Sequence, residues 1–152
     1  MVFITLGYAL WYDMTTCCLE TKCLQCCRET NMILTIHDID RIKKLGYDVG
    51  FFVKEHKGWL QLKNTLGRCV FHNGTKCTIY AHRPKGCILY PIVYDKDNCC
   101  AIFDSECPQK HCFTLSDTTT RQLYALVKLL ENERAERRKE KKYRDQNSSE
   151  HS

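Results

Sequence analysis

The sequence predicts an α+β fold, a small metal-stapled domain of short helices and hairpins with a long C-terminal helix. Three observations carry that expectation. Five of the twelve cysteines fall within residues 17–27. Packing does not require such density, because Ala or Val fills small apolar spaces equally well, whereas closely spaced thiols offer several soft donors to one metal centre. Downstream, short apolar runs alternate with turn residues such as Asn73-Gly74, which tolerate the positive φ angles of a tight hairpin. From Ser116 the apolar period becomes helical, with Leu123, Leu126, Val127 and Leu130 on one stripe.

The 152 residues, 43% of them hydrophobic, suit one compact domain with a modest core. Residues 1–13 read as an N-terminal extension, with Met14 an equally sensible start; residues 14–115 carry the cysteine cluster, 116–145 the charged helix, and 146–152 a polar, disordered tail. Residues 1–12 are apolar but have no basic flank and no small-residue cleavage site, and they are too short to span a bilayer. The expectation is therefore a cytoplasmic protein with no membrane contact. There thiols stay reduced, and a reduced cluster favours metal thiolates over disulfides. The net charge of +5 gathers towards the C-terminus, where residues 131–145 hold seven basic and five acidic side chains and a single aromatic, Tyr143. That mixture describes a solvated helix face and argues against nucleic acid, leaving an unidentified protein or redox partner.

Taken in order, Thr35 is an N-cap with Asp38 three residues on, and Ile36, Ile39, Ile42 and Leu45 repeat at helical spacing up to Gly46, which suits a left-handed cap. That stripe is expected in the core and His37 outside any site. Residues 49–56 read as a second short helix, and Trp59 to Leu62 alternate as a strand. Residues 69–80 form a hairpin about Asn73-Gly74 that draws Cys69 towards Cys77; Arg83-Pro84 interrupts regular structure, and residues 95–98 turn into a strand over 99–103. In the last helix, Glu133 with Arg137 and Glu140 with Arg144 are four apart in the favourable orientation. Its first half should pack and its second half project.

Cys23-Leu24-Gln25-Cys26 has the spacing at which two sulfurs reach one ion. Cys27 follows directly, and adjacent residues do not easily aim both side chains at one ion, so it is expected to serve another metal or stay free. Cys69, Cys77, Cys87 and Cys107 supply thiols from a hairpin and later loops that a metal would hold together. An isolated thiol is more often a buried free cysteine; for the set, metal binding is the better account. His72, His82 and His111 lie near these cysteines and could complete a zinc site.

In their order, Cys23 to Cys27, the helix bearing Asp38 to Ile42, Gly67-Arg68-Cys69, Cys77 to Tyr80, Arg83-Pro84 and Cys87 to Pro91 resemble the CxxCxxCC cysteine-cluster family (YkgJ-like). The resemblance covers roughly residues 17–107. It implies a zinc- or iron-chelating domain, sometimes described as an iron–sulfur oxidoreductase, with some relatives resembling lysine N-methylases. It carries over the ligands Cys23, Cys26, Cys27, Cys69, Cys77 and Cys87, with Cys107 beside them. The family's further thiol, three residues before Cys23, is Glu20 here, so Cys18 or Cys17 stands in for it or the site has one thiol fewer. Cys99, Cys100 and Cys112 match nothing.

Zinc and iron–sulfur clusters both accept four thiolates. Few well-placed histidines, the Cys107-Pro108 pair and the excess of thiols favour an iron–sulfur cluster, with zinc the alternative. Arg83 would offset the negative charge of a four-thiolate centre and donate hydrogen bonds, and Tyr80 and Tyr90 would wall it. The expected function is a metal-binding protein with a redox role. The alternatives are a zinc-stabilised interaction module and a cluster-assisted group-transfer enzyme, although the chain shows no glycine-rich nucleotide loop, no paired catalytic carboxylates and no nucleophile with a base.

Overall fold

In a computed structural model, residues 16–149 are described. The N-terminal extension, Met14 and the end of the tail lie outside them. Among the described residues five α-helices and three two-stranded antiparallel sheets follow one another: α1 (Thr16–Glu20), α2 (Ile36–Lys43), α3 (Val49–Phe52), β1 (Val53–His56) with β2 (Trp59–Leu62), β3 (Asn64–Thr65) with β4 (Arg68–Cys69), α4 (Lys85–Leu89), β5 (Ile92–Asp95) with β6 (Cys100–Phe103), and α5 (Asp117–Ser149). Among the described residues no helix is long and apolar enough to cross a membrane. The α+β expectation holds.

α2 begins as the sequence says. Thr35 Oγ1 accepts the Asp38 amide at 3.0 Å, Asp38 Oδ2 accepts the Thr35 amide at 3.1 Å, and Gly46 takes φ 97° beyond the helix end. Its stripe is only half core, however. Ile39 and Ile42 are buried, whereas Ile36 is 50% and Leu45 40% exposed. Ile36 stands in the first turn, where its backbone amide meets the Glu133 carboxylate of α5, and Leu45 lies past the helix end.

The second helix expected over 49–56 stops at Phe52, and residues 53–56 are a strand. Lys57 (φ 51°) and Gly58 (φ 82°) close a hairpin with Trp59 to Leu62, and β-branched Val53 pairs with Leu62. Two consecutive positive φ angles match the right-handed twist of the strands, so cross-strand pairing outweighs helix continuation. Leu66 (φ 53°) and Gly67 (φ 74°) repeat the device between β3 and β4. The hairpin expected over 69–80 is reduced to one bridge, His72 opposite Cys77, with the turn held by Asn73 Oδ1 accepting the amides of Thr75 and Lys76.

Two apolar clusters result. Leu34, Ile39, Ile42, Phe52, Leu62, Phe71 and Ile79 form the first, and Cys27, Cys69, Cys77 and Cys87 pack in or against it. In the second, Leu123, Leu126 and Leu130 of α5 cover Leu89 and Ile92. Farther along α5, Arg134 and Arg137 donate from Nε to the carbonyls of Lys57 and Gly58, both at 2.9 Å, and the Glu133–Arg137 pair stands at 3.7 Å. α5 continues to Ser149, through part of the segment expected to be disordered; Ser148 Oγ bonds the Arg144 carbonyl, and the charged run is made of strong helix formers.

Candidate metal centre

Local structure gathers the distant thiols. α1 carries Cys18, the loop after it Cys23, a 3₁₀ turn (Gln25–Cys27) Cys26 and Cys27, β4 Cys69, the bridge strand Cys77, and α4 Cys87. Cys87 is thus helical rather than in a loop, because Pro84 opens α4 instead of ending order. These seven cysteines line one cavity of about 280 Å³, together with apolar side chains such as Met32, Leu62, Phe71 and Phe113. Tyr80, Arg83 and Tyr90 stand in the same wall, and so does His72. Met32 and Phe113 went unremarked in the sequence because an apolar residue far from the cysteines carries no sign of which cavity it will face.

Cys26 is the hub of this ring. Its sulfur lies 4.0 Å from that of Cys27. A tetrahedral zinc thiolate has sulfurs about 3.8 Å apart, given zinc–sulfur bonds of about 2.3 Å. Although the two residues are adjacent, their sulfurs therefore stand about one edge of such a tetrahedron apart. Hydrogen bonding from Cys27 holds the Cys26 thiol down to about 7, helped by its own backbone and by Arg83, whereas the Cys27 thiol is pushed up by that same contact and by burial. Burial, then the neighbouring Cys26, Cys23 and Cys107 thiols, raises Cys18 to about 11. Burial is also the main cause raising Cys69, Cys77, Cys87 and Cys107. Packed together as protons' partners, these thiols resist ionising one beside another.

Arg83 shares the cavity wall with two further cations, Lys22 and Lys76. Its guanidinium lies 3.7 Å over the Tyr80 ring, and its charge opposes the rise at Cys18, Cys77 and Cys87. A clamp from α2 sets its position. Asp38, 0% exposed, takes Arg41 Nη2 at 3.0 Å and the Lys85 amide at 3.1 Å on Oδ1, while Arg41 Nη2 also donates to the Arg83 carbonyl at 2.8 Å. Sequence reading gave Asp38 only a capping role; the i,i+3 spacing to Arg41 was the available sign of more. Tyr90 is held protonated to unusually high pH by burial and then by the Asp104 carboxylate.

Not every cysteine joins. Cys107, 4% exposed, does not line the cavity, although it is near enough to raise Cys18. Cys99 is exposed in the β5–β6 turn and Cys100 lies on β6. Cys17 is disulfide-bonded to Cys112, with Cα atoms 6.5 Å apart, which corrects the expectation of a fully reduced set. Neighbours on the short α1 point to different sides, so Cys18 enters the cavity while Cys17 meets the 3₁₀ turn Lys110–Cys112. His82 and His111 are exposed and line no cavity wall described here, whereas His72 is buried.

The donors fit a sulfur-bound metal. Seven thiols face one apolar space, and the buried Arg83 Nε has no hydrogen-bond partner, as suits a donor aimed at anionic sulfur. Yet among the described residues no three His, Cys, Asp or Glu side chains converge tightly enough to hold one ion between them. The thiols ring a volume rather than a point.

The description "putative zinc- or iron-chelating domain" belongs to a family, CxxCxxCC, that matches residues 17–124. No curated protein and no solved structure matches the chain. The match spans every cavity thiol, the clamp of α2 and the start of α5 as far as Leu123, and on that extent the chain belongs to the CxxCxxCC family.

Proposed function

We propose that this chain is a cytoplasmic metal-binding protein whose cavity thiols hold an iron–sulfur cluster in a redox role towards a protein partner. One observation carries the reading: seven thiols surround a cavity of about 280 Å³ without converging on a point. A single tetrahedral ion needs four sulfurs close about one centre, whereas a sulfide-bridged centre spans a larger volume and accepts ligands spread around it. When bound, such a centre supplies one-electron chemistry at a potential set by its surroundings. The chain's own residues define those surroundings. Arg83 offsets anionic sulfur, the Tyr80 ring holds Arg83, and Met32, Leu62 and Phe71 give the wall its apolar surface, while Cys26 is exposed to solvent. Ten of the twelve cysteines are free, in keeping with a reducing compartment.

Zinc is the second reading, favoured by the 4.0 Å between the Cys26 and Cys27 sulfurs, close to the edge of a zinc thiolate tetrahedron. Anaerobic purification decides between them. Brown protein with iron and acid-labile sulfide supports the cluster; colourless protein with stoichiometric zinc overturns it.

A further inference from the structure

Beside the thiol cavity lies a second pocket of about 200 Å³, whose walls include Leu24, Cys27, Arg28, Leu66, Arg68 and His72. Its charged side chains, Arg28 and Arg68, are both cationic donors. Arg28 and Arg68 pair directly across an isolated antiparallel bridge. Like charges placed so repel each other, and neither arginine has a carboxylate partner among the described residues. The Arg68 guanidinium lies over Gly74, its Nη1 3.2 Å from where a Cβ would stand, which brings it to the turn that carries His72.

His72 supplies the second, independent sign. It is 6% exposed, and its Nδ1 accepts the Gly74 amide at 3.0 Å, so the neutral ring carries its proton on Nε2. That Nε2 is buried without a hydrogen-bond partner. Locked in this tautomer, the ring presents a proton rather than a lone pair, which removes it from the metal ligands considered from the sequence. A buried donor and two unpaired guanidiniums at one pocket lack an acceptor in common.

We infer that this pocket binds a small oxyanion, a carboxylate or phosphate group, held by Arg28, Arg68 and His72 Nε2–H next to Cys27. The site needs no metal, so it stands or falls apart from the identity of the centre.

The test is a titration of the full chain with inorganic phosphate, and in a parallel arm with acetate, at constant ionic strength set by chloride. The His72 imidazole nitrogens are followed by NMR and metal content is measured throughout. The expected result is a saturable shift at Nε2–H in at least one arm, with Nδ1 unprotonated and metal retained; the arm that responds names the oxyanion. Arg28→Gln and Arg68→Gln should each weaken binding roughly tenfold or more. Without phosphate or acetate both variants should melt no lower than the parent, since each relieves a like-charge pair, and a given anion concentration should raise the melting temperature of the parent more than that of either variant. No saturable shift in either arm, an affinity in both variants equal to the parent's, or metal released as the anion binds would overturn the proposal.

Discussion

At the scale of single residues, the centre depends on how each sulfur gives up its proton. Cys26 is held down to about 7 by Cys27 and Arg83, and Cys18 is raised to about 11 by burial and its neighbours. The signs differ. In metal-free protein the depressed Cys26 contributes stability that is complete above the ordinary thiol range near 9 and is lost as pH falls through about 7; the raised Cys18 costs nothing below about 9 and removes stability as pH climbs towards about 11. Cys27, Cys69, Cys77, Cys87 and Cys107 are raised as well and add to the loss on the alkaline side, so metal-free protein should melt highest between about pH 7 and 9. Metal-loaded protein should weaken steadily on acidification, because protons compete for the thiolates and displace the ion. Melting curves of both forms between pH 5 and 11 check this; parallel profiles would contradict it.

Substitution addresses the same thiols one by one. Cys69→Ser and Cys77→Ser each remove a sulfur from the cavity wall and should lose most of the bound metal, with a lower melting temperature. Cys99→Ser, in an exposed turn remote from that wall, should change neither. Metal analysis of the three purified variants reads the difference, and equal metal in all three would show that the ring does not bind.

Among the elements, α2 works as a bracket. The Asp38 carboxylate accepts the Thr35 amide at the helix start, accepts Arg41 and holds the first amide of α4, all while fully buried. Asp38→Ala strips those partners at once and should cost about 3 kcal/mol in denaturant unfolding. It should also lower metal content, since Arg83 and Cys87 lie on the segment that Asp38 and Arg41 anchor. Unchanged metal content would mean that the bracket serves stability alone.

α2 was legible because capping and left-handed termination are local chemistry, fixed by Thr35, Asp38 and Gly46. The β1–β2 hairpin was not. Lys57 is a poor advertisement for a positive φ, and Val53 to His56 become a strand only because Trp59 to Leu62 lie opposite. Likewise Arg83-Pro84 read as a break, although proline also starts a helix, as it does at α4. Which thiols face one cavity was legible only through their ordered series; spacing of eight or ten residues cannot reveal that Cys17 and Cys18 part company.

Over the whole molecule, two fasteners act on different parts. The Cys17–Cys112 bond closes a separation of 95 residues outside the cavity wall, and α5 covers Leu89 and Ile92. Cys112→Ser should leave the metal bound while lowering stability by about 2–4 kcal/mol under oxidising conditions, and by nothing once reductant is present. Unfolding with and without reductant, alongside thiol counting that should find ten free groups in the parent, checks the point.

The central claim is that sulfur from separate segments encloses a metal, and X-ray absorption at the edge of the bound metal reads its first shell directly. The account predicts about four sulfur neighbours near 2.3 Å. A shell dominated by oxygen or nitrogen would contradict it.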